Sequence, residues 1–181
     1  MNAKPFLEAE KTHLAQLLEA IQRCTYYLHA TTTRLEWPLE GQTLEFRKKD
    51  SVLFEALAAF NERFAKLQDT LGAAMRHASL LLGESTESFL KVLAYYEKAG
   101  VVDSIETWQA LRTVRNLAAH SYETDYAAIA EHFNTLHEMV ASLYQTAGLF
   151  IDHCENRLGV CPEHADFEPE FRQIAKVSSP R

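Results

Sequence analysis

The sequence predicts an all-α fold, an antiparallel bundle of about five helices joined by short loops. Apolar residues recur three and four positions apart along most of the chain, which is the spacing of residues on one helix face. Hydrophobic residues account for 47% of the 181 residues, and only six glycines and five prolines are present. This length favours a single domain, since soluble domains usually contain about 100–200 residues.

The first predicted helix runs from about Pro5 to Thr32, because a proline is acceptable in a first turn and apolar residues recur at helical spacing after it. The stretch from Thr31 to Thr43 contains Trp37-Pro38 and Gly41, and the helical period is broken there. We therefore expect this stretch to form the loop between the first and second helices.

The second predicted helix is opened by Arg47-Lys48-Lys49 and ends at Gly83. Its apolar residues alternate between spacings of four and three, close to a coiled-coil seam sustained for about three heptads. The residues of this seam are Leu53, Leu57, Phe60, Phe64, Leu67, Leu71 and Ala78. The basic tripeptide is expected to be a solvated face, because it is too short to form a phosphate track.

The third predicted helix begins near residues 85–86 and ends at residues 98–100, where a lysine in the last turn precedes a glycine cap. Asp103 followed by Glu106 resembles a capping box and predicts the start of a fourth helix. The expected apolar faces of these two helices contain Phe89, Val92, Leu93 and Tyr96 in the third, and Trp108, Leu111, Val114 and Leu117 in the fourth.

After a turn at residues 123–125, the fifth predicted helix keeps the same rhythm of apolar residues from Ile129 to Cys154. Beyond it, prolines punctuate an acidic segment that we expect to be partly irregular. The predicted organisation is therefore a helical domain at residues 1–158 and a C-terminal tail at residues 159–181.

The strongest functional signal is the octapeptide Arg-Asn-Leu-Ala-Ala-His-Ser-Tyr at residues 115–122. Asn116 and His120 are four residues apart and share one face of the predicted helix, while Arg115 and Tyr122 are seven apart and share the adjoining face. Arginine supplies a permanent fork of hydrogen-bond donors, and histidine titrates near neutral pH. The pattern predicts a groove that suits a phosphate and its leaving group.

This pattern, Arg-Asn-x-x-x-His-x-Tyr at the end of the penultimate helix of a small helical protein, resembles the HEPN superfamily. Within the superfamily it is most similar to HepT-type toxins, the partners of minimal nucleotidyltransferase antitoxins. The similarity covers roughly residues 5–158 in helix order and spacing, and its specificity rests on Arg115, Asn116, His120 and Tyr122.

The resemblance implies the toxin of a type VII-like toxin–antitoxin pair, a metal-independent endoribonuclease that requires no cofactor. In the implied reaction a ribose 2′-OH attacks the neighbouring phosphate and leaves a 2′,3′-cyclic phosphate. His120 would act as general base or acid, since its ordinary pKa of about 6.5 allows both roles. Arg115 would stabilise the charge on the phosphate oxygens, and Asn116 would orient the imidazole or donate to the phosphate.

The resemblance also implies partners for this chain besides its RNA substrate. The octapeptide contains a single histidine, whereas transfer through a 2′-OH needs one group to accept a proton and another to supply one. A two-fold homodimer would bring two copies of the motif together. Tyr122 matches the tyrosine that receives AMP from the nucleotidyltransferase antitoxin, so its AMPylation would neutralise the toxin.

Two other classes of function remain open. A HEPN protein could bind nucleotides or assist a nucleotidyltransferase without cleaving RNA, or the chain could be a purely structural helical adaptor. The net charge of −7 argues against broad nucleic-acid binding driven by charge. From Arg76 to Tyr122, however, five basic residues balance five acidic residues, so this segment is neutral within an acidic chain.

The sequence gives little support to a metal site or a membrane location. A di-iron bundle needs two Glu-x-x-His pairs, and only the pair of Glu10 and His13 is present. A zinc site could use four residues whose spacing matches no familiar motif, namely His153, Cys154, Cys161 and His164. There is no apolar run of ~18 residues and no apolar signal stretch, and the three cysteines are an odd number, so we expect a cytoplasmic protein.

Overall fold

The all-α class is confirmed. The computed structural model describes residues 3–117 and 124–177, and these residues form helices and no strand. The seven helices of this part are α1 (Ala3–Thr32), α2 (Gly41–Phe46), α3 (Ser51–Leu82), α4 (Phe89–Lys98), α5 (Ile105–Leu117), α6 (Tyr126–Leu158) and α7 (Glu168–Val177). Five of them follow the predicted order, and α2 and α7 lie in segments predicted as a loop and a tail.

Three long helices, α1, α3 and α6, supply most of the core, and the periodic apolar residues explain why. The seam predicted for the second helix is buried in α3, and each of its residues is at most 8% exposed. Asp50 caps the start of α3 by accepting a hydrogen bond from Leu53 N at 3.0 Å. Gly83 ends the helix in the left-handed region with φ of 73°.

No helix in the described ranges combines the length and apolar character needed to cross a bilayer.

The loop predicted between the first two helices is only partly correct, because α2 begins inside it at Gly41. The side chain of Leu44 is 1% exposed, and α2 packs against α6. Asn134 of α6 also holds the preceding segment, donating to Leu39 O at 2.9 Å and accepting from Leu39 N at 2.7 Å. These are contacts between distant parts of the chain, which local periodicity does not reveal.

Two predicted helix starts also need correction. Arg47-Lys48-Lys49 does not open a helix but lies in the turn before α3, where Arg47 forms an ion pair with Asp50 at 2.7 Å. The third predicted helix starts at Phe89 rather than at residues 85–86, because Ser88 is the capping residue and accepts a hydrogen bond from Lys91 N at 3.3 Å. Ser85 and Ser88 both fit the sequence pattern of a helix cap, so the sequence does not tell which of them starts the helix.

The segment after Gly159 contains α7 and packs against the bundle. Phe171 is fully buried and Ile174 is 7% exposed, and both face α1 and α6. Arg172 of α7 forms ion pairs with carboxylates of α6, among them Glu155 at 3.8 Å. Residues 159–167 are non-helical, as expected of a partly irregular tail, but the prediction omitted α7 because its apolar face is only a few residues long.

Candidate functional site

The helix in which the motif begins, α5, starts at a different cap from the predicted one. The hydroxyl of Ser104 accepts a hydrogen bond from Thr107 N at 3.0 Å, so Ser104 takes the capping position expected of Asp103. The carboxylate of Asp103 instead accepts a hydrogen bond from the Thr107 hydroxyl at 3.1 Å. The predicted box of Asp103 and Glu106 is therefore wrong by one residue, although the helix it indicated is present.

The face of α5 that packs into the core is also the face that carries its two arginines. Trp108 is 3% exposed and Leu111 is 2% exposed, and both belong to the core. Gln68 of α3 donates from Nε2 to Trp108 O at 3.3 Å, which ties the two helices together. Because Arg112 and Arg115 are three residues apart, their side chains leave α5 on the same side.

The guanidinium of Arg115 reaches from α5 to α3. Its Nη1 forms an ion pair with Asp69 and donates to Ala65 O at 3.3 Å. The Arg115 side chain is 15% exposed, whereas the Asp69 side chain is 64% exposed. Arg115 is thus held in place by the protein, while the carboxylate that pairs with it is largely exposed to solvent.

The other predicted site residues are only partly covered by the structure. The backbone of Asn116 belongs to α5, but its side chain, together with His120 and Tyr122, lies outside the described residues. The grouping of Arg115, Asn116, His120 and Tyr122 in one groove therefore remains a prediction. The described chain resumes just before α6, where Asp125 caps the helix by accepting from Ala127 N and Ala128 N.

Arg115 lines a pocket of about 350 Å³ between α3, α4 and α5. We call it the α3–α5 pocket; its walls are Gln68, Asp69, Gly72, Ala73, Arg76, Phe89, Trp108, Arg112 and Arg115. Arg76 and Arg112 were not predicted to belong to the site. The spacing of Arg112 and Arg115 was a usable signal, but Arg76 is on another helix and only the packing of α3 against α5 brings it there.

A second basic pocket of about 300 Å³ lies between α1 and α3. It is lined by Arg23, Arg63 and Lys66 with a single acidic residue, Glu62. The guanidinium of Arg63 lies 5.7 Å from the centre of the Tyr27 ring. Each pocket therefore has three basic groups and one acidic group in a chain of net charge −7, so positive charge is concentrated on both flanks of α3.

The four residues weighed as zinc ligands do not come together. His153 lies 3.2 Å from the Tyr95 hydroxyl, whereas His164 contacts Glu19 of α1 at 2.9 Å. Cys154 is fully buried, and burial raises the pKa of its thiol to about 12, which disfavours the thiolate that binds metals. Among the described residues, one group has metal-ligand spacing, the largely exposed set of Glu19, Glu163 and His164.

Comparison with known proteins does not assign the chain to a family. No family model matches the sequence, and neither a curated protein nor a solved structure matches it. The HEPN resemblance therefore rests on the four motif residues and on the order of the helices.

Proposed function

We propose that this chain is the toxin of a type VII-like toxin–antitoxin pair and that it acts as a metal-independent endoribonuclease. The supporting observation is the convergence of Arg115 with Arg76 and Arg112 on one pocket, at the end of the helix that leads to His120. Three guanidinium groups in an acidic chain form a local site for phosphate, which arginine binds through paired N–H donors. A reduced, cytoplasmic location belongs to the same proposal and agrees with three unpaired cysteines.

The proposed reaction uses residues from two copies of the chain and the RNA itself. The ribose 2′-oxygen attacks the adjacent phosphorus while His120 takes the proton of the 2′-OH. The bond from phosphorus to the 5′-oxygen breaks, the leaving oxygen receives a proton from the His120 of the second copy, and a 2′,3′-cyclic phosphate remains. Arg115 stabilises the negative charge that builds on the phosphate oxygens. Asn116, four residues before His120, orients the imidazole or donates to the phosphate.

Two partners complete the proposal. A homodimer provides a second His120, so that one imidazole accepts a proton while the other supplies one. A minimal nucleotidyltransferase antitoxin neutralises the toxin by attaching AMP to Tyr122. The attached phosphodiester would then compete with RNA for Arg115, because both present the same anionic group.

A second candidate function is supported by the ion pair of Arg115 with Asp69. Arg115 ties α5 to α3, so it stabilises the fold in addition to any ligand that it binds. Such a residue would also be present in a HEPN protein that binds nucleotides without cleaving RNA. The two candidates share the pocket and differ in whether His120 acts on a bound phosphate.

RNA cleavage by purified protein separates the two candidates. The parent, H120A and R115A proteins are incubated in EDTA with a labelled single-stranded RNA, and the products are identified by mass spectrometry. We expect the parent to yield ends with a 2′,3′-cyclic phosphate and both variants to be inactive. R34Q is the matched control, because Arg34 is exposed and lies outside the α3–α5 pocket. Full cleavage by H120A would contradict the proposed ribonuclease mechanism, and binding without cleavage by the parent would contradict the ribonuclease function.

A further inference from the structure

The α3–α5 pocket contains two arginines that the proposed cleavage chemistry does not use. Arg76 is on α3 and Arg112 is on α5, and both side chains are exposed. None of the ion pairs among the described residues involves either of them, whereas Arg115 in the same pocket is paired with Asp69. The pocket therefore holds positive charge that the described residues do not neutralise by ion pairing.

Packing against aromatic residues determines the positions of Arg76 and Arg112. The guanidinium carbon of Arg76 lies 5.7 Å from the centre of the Phe89 ring, so the cation rests on an aromatic face. Arg112 is four residues after the buried Trp108, which sets the rotation of α5 against α3. Gly72 forms part of the wall between the two aromatic rings: a Cβ there would meet Phe89 at 3.4 Å and Trp108 at 3.8 Å. The missing side chain leaves room in the pocket.

The arrangement also indicates which form of nucleic acid the pocket accepts. A guanidinium is planar, and unpaired bases stack on guanidinium planes as they do on aromatic rings. A duplex has its base faces covered by neighbouring pairs and cannot use this surface. A single strand can place a phosphate between Arg76 and Arg112 and a base on the guanidinium of Arg76 at the same time.

We propose that Arg76 and Arg112 form a second phosphate subsite that binds the nucleotide next to the one held at Arg115, in single-stranded RNA. The inference rests on the proposed function for its choice of RNA as ligand and extends that function from one phosphate to two. The positions of the two arginines on α3 and α5 make the subsite a property of the described fold, separate from the chemistry of His120.

Binding of RNA that cannot be cleaved tests the subsite. A six-nucleotide 2′-O-methyl RNA labelled with fluorescein lacks the attacking hydroxyl, and its anisotropy reports binding over a range of salt concentrations. We expect R76Q and R112Q each to raise Kd about tenfold, because each removes a charge-assisted hydrogen bond to phosphate. A plot of the logarithm of the association constant against the logarithm of salt concentration has a negative slope. Its magnitude should decrease by about 0.7 for each phosphate of the single strand that the variant no longer neutralises. R34Q should bind as the parent does.

The outcomes separate this inference from the proposed function. If R76Q and R112Q keep the parent's Kd and salt slope, the second subsite is wrong, whether or not the parent cleaves RNA. If both variants bind weakly while the parent does not cleave natural RNA, the proposed second subsite is supported and the proposed ribonuclease function is wrong. Equal affinity of the parent for a duplex of the same sequence would overturn the restriction to single strands.

Discussion

Asp69 of α3 forms an ion pair with Arg115 of α5, and the two partners differ in exposure: 64% for the carboxylate side chain and 15% for the arginine. The arginine is the predicted phosphate-binding residue, and the acid was not predicted to be near it. A carboxylate on the guanidinium occupies a position that a phosphate oxygen of a substrate would need. If Arg115 binds phosphate as proposed, Asp69 therefore competes with the substrate for the same guanidinium.

Replacement of Asp69 by asparagine should increase RNA affinity. The D69N side chain keeps nearly the same size but loses the negative charge, so it no longer competes with phosphate for Arg115. We expect Kd for the 2′-O-methyl hexamer to fall about threefold to tenfold, measured by anisotropy at low salt. The free energy of unfolding in urea should change by less than about 1 kcal/mol, because the Asp69 side chain is 64% exposed and water screens its attraction to Arg115. Weaker binding by D69N would show that Asp69 positions Arg115 for the ligand.

Mixed dimers should restore part of the activity that two inactive variants have lost. If the cleft draws on both protomers, a heterodimer of H120A and R115A keeps one His120 and one Arg115 in it, and water has to replace the second His120 in proton transfer. We expect the mixture, after subunits exchange, to cleave RNA faster than either separate variant and more slowly than the parent. Sedimentation velocity should give a dimer at micromolar concentration. A monomer, or a mixture no more active than its components, would contradict a shared cleft.

Tyr122 should be the residue that the nucleotidyltransferase modifies. Incubation of the toxin with that enzyme and ATP should add AMP units, and peptide mass mapping should locate them on Tyr122. Y122F should cleave RNA and escape modification. Y126F is the matched control, because Tyr126 is four residues away and packs against Phe54 with ring centroids 6.5 Å apart. Modification that persists in Y122F and disappears in Y126F would assign the acceptor to Tyr126.

Replacement of Gly41 by alanine should destabilise the fold. A Cβ at this position would lie 2.7 Å from Ala127 Cα and 2.9 Å from Ala127 N, so α2 would be pushed from the first turn of α6. We expect G41A to lower the free energy of unfolding by about 1–3 kcal/mol, the usual range for overpacking. Q42A is the control, since Gln42 is the next residue of α2 and is exposed. A urea midpoint for G41A equal to that of Q42A would mean that α2 adjusts without cost.

Stability should decrease as the pH falls below about 6.5, the ordinary pKa of histidine. The ring of His137 stacks on Trp37 with centroids 4.1 Å apart, and desolvation lowers the pKa of His137, as it does for His132 and His153. Since these groups bind protons more weakly in the folded state, the unfolded state gains protons first on acidification. The stabilising effect is present above the unfolded pKa and is lost below it.

Urea unfolding at about pH 7.5 and pH 5.5 measures this loss, a range that spans the unfolded pKa. H137F keeps an aromatic ring on Trp37 without a titrating group and should lose less stability than the parent. H164Q should lose more, because a hydrogen bond and the charge of Glu19 raise the pKa of His164, which has the opposite effect on stability. A parent that becomes more stable at low pH, with a gain that persists in the H164Q background and disappears in H137F, would show that attraction between the charged His137 and Trp37 exceeds the desolvation cost.

Most of the fold could be predicted from the sequence because the long helices are encoded locally. The apolar seam of α3 lies within one segment and matches a buried helix face. The glycines that follow α3 and α6 are equally local, and each forms a left-handed cap. The octapeptide is also local, so Arg115, Asn116, His120 and Tyr122 could be chosen from spacing and side-chain chemistry. Their roles remain predictions.

Tertiary structure alone decided the features that depend on contacts between distant segments. Gly41 and Leu44 form a helix where the sequence breaks its period, because α6 offers a surface on which a short helix can pack. Arg76 joins Arg112 and Arg115 only because α3 lies beside α5, and no spacing along the chain encodes that approach. The sequence by itself determined the helices and the candidate residues of the motif, since both depend on neighbours within two turns. The charge around Arg115 depends on how α3, α4 and α5 pack together.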